Sequence, residues 1–325
     1  MHVAVVGAGV MGLAAAAALA RRGHSVDLHE QFDLDHALGS SHGRSRIFRL
    51  AYPDAAWVSL AQESYSGWRE LEAETGEQLL VLDGLLELGA RSAEALEACG
   101  VRWESLEPAE AEARFGVRAE GPVLLQPDAG AVLADRARHA FARVAREDGA
   151  GIHERSRVPS LADVEADAVV VTAGAWARPL LAAEGIELPV KVTRETVGYF
   201  RLPAGVPSVI DYGHDEASGA YALADPVYGL KAGVHHAGEE ADPDEPRPPS
   251  PAVAASLTAW VQNRFPAADP VPAELQTCLY TTTSDESFVL ERHGRIVVGS
   301  ACSGHGFKFA PAVGKRLADL VSAQP

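Results

Sequence analysis

The amino-acid sequence predicts an α/β protein of two interleaved domains, one built on a parallel sheet and one on an antiparallel sheet. Three observations support this fold class. The first thirty residues suggest a strand, a helix and a second strand, the middle of the chain is rich in alternating segments, and the end returns to a strand, a glycine-rich loop and a helix. The 325 residues also exceed the roughly 250–300 at which a single core usually stops growing.

The opening segment is predicted to form a β-α-β unit. Val3 to Val6 is a short β-branched run, typical of a strand that is buried on both faces. Leu13 to Arg22 is rich in alanine and leucine and is expected to be helical, with Gly23 at its C-terminal end. Ser25 to His29 is predicted as the second strand.

Three glycines in G-x-G-x-x-G spacing join the first strand to the helix. Gly7 permits the tight turn, Gly9 lets the backbone approach a pyrophosphate, and Gly12 lets helix and strand pack closely. The helix N-terminus then favours an anion. Glu30 can accept hydrogen bonds from ribose hydroxyls, and an acid there disfavours NADP. These residues predict a Rossmann-like dinucleotide site. A glycine-rich turn in another α/β fold is the alternative, and this stretch does not choose between NAD and FAD.

Composition excludes several classes of partner. The formal net charge of −17 repels phosphate backbones, so nucleic acid is not an expected partner. The three cysteines, Cys99, Cys278 and Cys302, are few and widely spaced, which fits a reducing cytoplasm rather than a disulfide framework. No run approaches the roughly 20 apolar residues of a membrane span. No metal site is predicted.

A basic cluster extends from Ser40 to Arg49 and contains three arginines and a histidine. In a chain with 28 basic and 45 acidic residues, such a cluster suggests an anionic ligand, although a solvated basic loop is the alternative. By contrast, the charges of the helix predicted from Ala134 to Arg146 are interpreted as a solvated face.

The order of segments predicts where the domains divide. Asp167 to Thr172 is a further buried strand, whereas Val190 to Phe200 and Ser218 to Val234 alternate as antiparallel strands do. The first domain is therefore assigned to residues 1–50, 134–186 and 276–325, and the second domain to residues 51–133 and 187–275.

Several motifs occur together in one order along the chain. They are the N-terminal fingerprint, Ser41-His42-Gly43-x-x-Arg46-x-x-Arg49, Thr172-Ala-Gly-Ala-Trp176, Gly229-Leu-Lys231, Thr277-Cys-Leu-Tyr-Thr281 and Ser303-Gly-His-Gly-Phe-Lys-Phe309. Together they resemble the monomeric sarcosine oxidase and N-methyltryptophan oxidase group of FAD-dependent amine oxidases, over most of the chain.

The resemblance implies a cofactor and a reaction. FAD, rather than NAD, would occupy a Rossmann-like domain interleaved with an antiparallel-sheet substrate domain. The enzyme would oxidise the carbon–nitrogen bond of a carboxylate-bearing secondary amine to an imine that hydrolyses, and molecular oxygen would be reduced to hydrogen peroxide. The protein would be a monomer.

The resemblance also implies which residues contact the cofactor. Cys278 would form a thioether to the flavin, and positive charge from His42 and Arg46 would support that attachment. A buried apolar cysteine is the alternative for Cys278. The remaining cofactor contacts would come from Val158, Gly174, Trp176, Gly304, His305, Gly306 and Lys308. A hydrogen-bonded core histidine is the alternative for His305.

The substrate site follows from the same resemblance. Arg49 and Lys308 would hold the substrate carboxylate, and Lys231 would promote the reaction with oxygen. Lys231 on an outward strand face and Lys308 on the surface are the alternatives. Tyr221 and His235 would line the pocket. His236 would point to the opposite face of the same strand, so the choice between the two histidines depends on the alignment.

This chain is shorter than is usual for the group, and its segment before Lys231 lacks the group's glycine-rich spacing. A substrate larger than sarcosine, N-substituted or cyclic, is therefore expected, with aromatic walls from Tyr212, Tyr221 and Tyr228. The alternatives are a glycine- or D-amino-acid-type oxidase or dehydrogenase that acts on a primary amine, an NAD-dependent dehydrogenase, and a flavin-binding protein without activity.

Overall fold

The computed structural model describes residues 1–203, 206–213 and 219–323. Ser218, where a predicted strand begins, lies outside the described residues. The helices are α1 (Val10–Arg21), α2 (Ala55–Thr75), α3 (Ala93–Ala98), α4 (Pro108–Phe115), α5 (Ala134–Glu147), α6 (Ala177–Ala182), α7 (Pro251–Arg264) and α8 (Ala310–Ser322). The strands are β1 (His2–Val6), β2 (Ser25–His29), β3 (Ser45–Phe48), β4 (Leu80–Val81), β5 (Leu85–Leu88), β6 (Glu104–Leu106), β7 (Val123–Gln126), β8 (Gly130–Leu133), β9 (Gly151–His153), β10 (Ala168–Val171), β11 (Lys191–Arg201), β12 (Ser208–Asp211), β13 (Ala220–Asp225), β14 (Gly229–Val234), β15 (Glu239–Glu240), β16 (Glu274–Thr282), β17 (Val289–His293) and β18 (Ile296–Ser300).

A six-stranded sheet contains the predicted β-α-β unit. Its order is β17-β18-β10-β1-β2-β9, and every neighbouring pair is parallel except the antiparallel pair β17 and β18. All four residues of β10 are buried, because the strand packs against helices on one face and a second apolar cluster on the other. The continuous apolar runs that predicted buried parallel strands are thereby confirmed.

A nine-stranded sheet forms the other major layer. Its main path is β15-β11-β14-β13-β12-β5-β7-β6, and β16 pairs with β11. β14 and β16 flank β11 on opposite sides, so Lys231 lies opposite Tyr199 and Cys278 lies opposite Glu195. Helix α7 covers one face of this sheet through Leu257 and other apolar side chains.

A small sheet, β3-β8-β4, gives the basic cluster a structure that the sequence did not predict. Four residues of that cluster form β3, and Arg46 pairs with Val132 of β8. Gly130 lies where β8 comes close to β4. A Cβ atom at Gly130 would stand 2.1 Å from the carbonyl oxygen of Val81. These strands have four residues or fewer and pair over long sequence distances, so they carry little local pattern.

The strands of the six-stranded sheet lie in the three segments that were assigned to the first domain. β16 crosses the assigned boundary at residue 276, and the division itself stays a prediction. In the part of the chain that the structure describes, no helix is long and apolar enough to cross a membrane.

Candidate active site

A cavity of about 650 Å³ collects the residues that the sequence singled out. It is lined by segments that follow the carboxyl ends of β1, β10 and β18, and by side chains of β13, β14 and β16. Parallel α/β sheets usually bind ligands at this edge. The predicted residues that line it are Gly7, Gly9, Glu30, His42, Arg46, Arg49, Val158, Gly174, Trp176, Tyr221, Lys231, His235, Cys278, Gly304, His305, Gly306 and Lys308.

Gly12 lies beneath the cavity rather than on its wall. A Cβ atom at Gly12 would stand 1.9 Å from the carbonyl oxygen of Gly7, and one at Gly7 would stand 2.7 Å from that of Thr172. Gly7 also has φ +99, in the left-handed region. Only glycine therefore permits this turn, which brings the N-terminus of α1 to the cavity.

Glu30 is buried at the same end and stabilises the turn. One carboxylate oxygen accepts the Ala8 N–H at 2.8 Å, and the other accepts the Phe32 N–H at 3.0 Å. Each oxygen keeps a further lone pair that can accept a ribose hydroxyl. The first turn of α1 has no acidic residue, and its Val10 N–H donates to the neutral Ser41 hydroxyl at 3.1 Å, so no side-chain charge neutralises the positive dipole end that a pyrophosphate would face.

Arg138 is a residue of this end that the sequence analysis missed. It lies on α5, whose charges were predicted to be solvated, but Arg138 is buried and its guanidinium donates to the carbonyl oxygen of Leu34. Burial lowers the pKa of Arg138. The solvated-face prediction is therefore wrong at this position, because the loop before β3 covers that part of the helix.

Trp176 and Gly174 follow β10 on a single 3-10 turn beside Val158. The Trp176 indole N–H donates to the Asp244 carboxylate at 2.7 Å, and its ring meets Phe32 edge-on at 5.5 Å. These contacts fix a flat aromatic wall at the Glu30 end of the cavity.

Arg46 and His42 adjoin the middle of the cavity. The Arg46 guanidinium donates to the carbonyl oxygens of Ser40 and His42, at 2.8 Å and 2.6 Å. Burial, followed by the charges of Arg46 and Lys231, lowers the pKa of His42 to about 3. His42 is therefore neutral near pH 7, and the positive charge that was expected from both residues comes from Arg46.

The residues of this cavity fit FAD. The His42 Nε2 atom is buried and has no hydrogen-bond partner among the described residues, as expected of a group that contacts a bound molecule. Gly7 and Gly9 line the cavity, where a pyrophosphate could approach the backbone, and Glu30 offers acceptors for a ribose.

Cys278 lines the cavity on β16, near Arg46 and Lys231. Burial raises the pKa of the Cys278 thiol, and these two cations partly offset that effect. Tyr221 projects from β13 in the same region, and a Cβ atom at Gly233 would meet its hydroxyl oxygen at 2.6 Å. Burial raises the pKa of Tyr221 as well, so its hydroxyl stays protonated.

Lys231 points inward from β14, as predicted. It is 4% exposed, and its ammonium donates to the carbonyl oxygen of Ser45 at 3.2 Å. Burial, reinforced by Arg46, lowers the pKa of Lys231 to about 7. The side chain can therefore exchange a proton at neutral pH.

Arg49 and Lys308 both contact Tyr52, a residue that the sequence analysis missed. The Arg49 guanidinium lies 4.1 Å from the Tyr52 ring centroid and donates to the Tyr212 hydroxyl at 2.9 Å. Lys308 donates to the Tyr52 hydroxyl at 3.0 Å and to the carbonyl oxygen of His305 at 2.6 Å. No motif in the sequence contains Tyr52. Its position three residues after Arg49 is the signal that could have placed it beside the basic cluster.

The position of Lys308 depends on helix α2. Lys308 belongs to a 3-10 turn, Gly306–Phe309, that leads into α8. The fully buried Trp68 of α2 donates its indole N–H to the carbonyl oxygen of Lys308 at 2.7 Å. Burial, and then the charge of Arg49, lower the pKa of Lys308 well below its usual range. A bound carboxylate would favour the charged form.

Arg44 shows that the basic cluster does not act as one unit. Arg44 donates to Asp225 at 2.8 Å and to Glu274 at 3.2 Å, and it lies 5.3 Å from the centroid of the Tyr228 ring. Tyr228 therefore packs against Arg44 and is absent from the cavity wall, contrary to the expectation. Among the ion pairs of the described residues, none joins a carboxylate to Arg46, Arg49, Lys231 or Lys308.

His235 and His236 do not point to opposite faces of a strand. β14 ends at Val234, and His236 has φ +56, so both rings turn toward Glu286 with centroids 3.9 Å apart. His235 still lines the cavity, as predicted. His305 also lines it and bonds to the backbone carbonyl of Glu286 at 3.1 Å.

Together the fold and this site define a flavin-dependent oxidoreductase. A family model described as FAD dependent oxidoreductase, or DAO, matches residues 2–320. The chain therefore belongs to this family, which favours FAD over NAD.

Individual relatives narrow the class. The chain is 34% identical to peroxisomal sarcosine oxidase of Homo sapiens, over 97% of this chain and 90% of that protein. It is 31% identical to monomeric sarcosine oxidase of Bacillus sp. (strain B-0618), over 98% and 91%. Among solved structures, NikD, an unusual amino acid oxidase essential for nikkomycin biosynthesis, matches with a TM-score of 0.87 at 26% identity, covering 98% of this chain and 93% of that one. The predicted resemblance is confirmed, and the protein is an amine-oxidising flavoenzyme.

Proposed function

We propose that this enzyme oxidises a small amino acid that carries a secondary amine, and that it reduces molecular oxygen to hydrogen peroxide. The observation that carries the proposal is the pair Arg49 and Lys308. Both cations face the cavity around Tyr52, and neither has a carboxylate partner among the described ion pairs. A substrate carboxylate would supply the missing anion.

Bound FAD would accept the two electrons that leave the substrate carbon–nitrogen bond. The protein's part is positioning. A carboxylate held between the Arg49 fork and the Lys308 point charge fixes one end of the substrate, and thereby the direction of the bond to be oxidised. The aromatic residues around Lys308 exclude water, which strengthens these charge interactions.

Lys231 lies apart from this pair, near Cys278 and Arg46. A positive charge there would stabilise negative charge that develops on oxygen as it is reduced. Cys278 would carry the cofactor through a thioether, since its sulfur lines the cavity beside the same two cations.

The pocket walls favour a substrate larger than sarcosine. Tyr212 and Tyr221 line the cavity and offer aromatic surfaces to the ring of a cyclic amino acid or to a bulky substituent on the amine nitrogen. Relatives carry sarcosine oxidase and amino acid oxidase in their names, which is compatible with secondary amines of different size.

The test is a substrate panel with peroxide detection. It would contain sarcosine, cyclic imino acids, bulkier N-alkyl amino acids, glycine and D-alanine, together with the matching decarboxylated amines. We expect the highest kcat/KM with a carboxylate-bearing secondary amine. Faster turnover of glycine or D-alanine would contradict the proposal, and so would dye reduction without peroxide formation.

Covalent attachment is tested by acid precipitation. Yellow colour should stay with the precipitated polypeptide in the wild type and move to the supernatant in Cys278→Ser. Flavin released from the wild type would contradict the attachment but leave the proposed reaction unaffected.

Size-exclusion chromatography is expected to show a monomer, and a cytoplasmic location stays a prediction.

A further inference from the structure

His235, His236 and Glu286 form a cluster at the cavity wall that the proposed reaction does not require as a unit. The Glu286 carboxylate lies 3.0 Å from His236 Nε2 and 3.9 Å from His235 Nε2. One possible ligand atom from each residue lies within 4.8 Å of the other two. We propose that these residues bind a divalent metal ion of the zinc type, with one coordination position open to the cavity.

The donor set supports this assignment. Two imidazole nitrogens and one carboxylate are the ligands that zinc takes in sites that keep an open fourth position. Zinc has no strong geometric preference of its own, and its bonds to nitrogen are about 2.0–2.1 Å long. The separations of 3.0 Å and 3.9 Å between the Glu286 carboxylate and the two histidines bracket the roughly 3.3 Å that separates neighbouring ligands of a tetrahedral zinc ion.

The backbone at the cluster adds a second observation. His236 has φ 56 and Glu286 has φ 60, so both adopt a conformation that non-glycine residues rarely take. Five such residues occur among those described, and two of them belong to this cluster. Backbone strain of this kind tends to concentrate at functional sites.

The loop that carries Glu286 is fixed by hydrogen bonds of its own. The Thr283 hydroxyl donates to the carbonyl oxygen of Ser287, the Ser287 N–H donates to Asp285, and His305 bonds to the carbonyl oxygen of Glu286. The backbone at Glu286 is therefore held in place, which keeps its side chain within reach of the two histidines.

The cluster is also accessible. The side chains of His235, His236 and Glu286 are 28%, 23% and 49% exposed, so an ion can enter from solvent. His235 and Glu286 line the cavity as well, and the open position would therefore face an entering ligand. The ion pairs of Glu286 in the described part of the chain are those with the two histidines.

The experiment is calorimetric titration of Zn²⁺ into the purified flavoprotein after metal removal. We expect one equivalent to bind with a dissociation constant of about 1 μM or tighter. His236→Asn removes an imidazole and retains a residue that tolerates positive φ, and Glu286→Gln removes the carboxylate. Each variant should weaken binding by at least about tenfold.

His293→Asn is the matched control. His293 forms an exposed pair with Glu291 at 2.7 Å, similar to the His236–Glu286 pair but without a third possible ligand among the described residues. This variant should bind Zn²⁺ like the wild type. The proposal is overturned by absence of binding at about 1 mM Zn²⁺, by unchanged affinity in both site variants, or by an equal loss in His293→Asn. Circular dichroism checks folding, and either site variant that folds is decisive. No turnover is needed, so the outcome does not depend on the proposed reaction.

Discussion

The two ends of the cavity are built in different ways. The end around Glu30, where the nucleotide of FAD is expected to bind, is called the nucleotide end. It is organised by the backbone geometry and the one carboxylate of the stretch between Gly7 and Glu30, and Arg138 and Trp176 complete its wall. The reactive end collects side chains from β14, β16, the segment after β3 and the turn before α8. The bond from Lys308 to Tyr52 joins residues that are 256 positions apart.

The difference teaches which substitutions each end tolerates. At the nucleotide end no side chain fits at the tightest glycines, so any addition is costly. At the reactive end the fold buries basic side chains that have no carboxylate partner among the described ion pairs. Their burial lowers the stability of the fold until an anionic ligand binds. Substitutions there should change chemistry more than folding.

The largest effect is expected from Gly12→Ala. The added Cβ atom would lie 1.9 Å from the carbonyl oxygen of Gly7, which forces strand and helix apart. We expect a loss of about 3 kcal/mol in the free energy of unfolding, together with loss of bound flavin. Thermal denaturation and flavin absorbance measure both. Gly121→Ala is the control, since nothing lies within 4 Å of its Cβ position.

Arg49→Ala should weaken substrate recognition at the reactive end without affecting flavin binding at the nucleotide end. We expect flavin to be retained and kcat/KM for carboxylate-bearing amines to fall by about a hundredfold or more, because a buried charge contact is lost. Steady-state kinetics against the decarboxylated amine provide the comparison. An equal loss with both substrates would refute a carboxylate clamp. Lys191→Met, at an exposed lysine, is a control for general charge effects.

Lys231→Met should slow one of the two half-reactions of the flavin and leave the other nearly unchanged. Flavin reoxidation by oxygen is expected to slow about a hundredfold, while anaerobic flavin reduction by substrate changes little. Stopped-flow absorbance measures the two steps separately. Equal slowing of both steps would argue against the assigned role.

The pH dependence of reoxidation should follow Lys231. Burial lowers the pKa of Lys231 to about 7, so the side chain is charged below that pH and neutral above it. The wild-type reoxidation rate is therefore expected to fall as pH rises through about 7. The profile should be flat in Lys231→Met, and the same pH-dependent fall in that variant would assign the titration to another group.

The smallest effect is expected from Tyr52→Phe. The change removes the hydroxyl that accepts a hydrogen bond from Lys308 at 3.0 Å but keeps the ring beside Arg49. We expect KM to rise about fivefold with kcat little changed, which corresponds to the loss of one hydrogen bond worth about 1 kcal/mol. A large fall in kcat would show that Tyr52 does more than position Lys308.

Much of the molecule could be predicted where its pattern is local. The buried parallel strands follow from continuous apolar runs, and the glycine turn from its spacing. The short strands β3 and β8 left no such pattern, since they exist through their pairing with each other. Arg138 and Tyr228 were wrongly placed for a related reason, because their surroundings come from remote segments.

The sequence by itself determined the turn and the carboxylate of the nucleotide end, because Gly7 to Glu30 are neighbours in the chain and the constraint between Gly7 and Gly12 is steric. It also singled out the basic residues that line the reactive end, whose roles stay predictions. Only the tertiary structure decided their use, by pairing Arg44 with internal carboxylates and leaving Arg49 and Lys308 to face the cavity. Burial and mutual proximity set their charge states, and both depend on how three sheets come together.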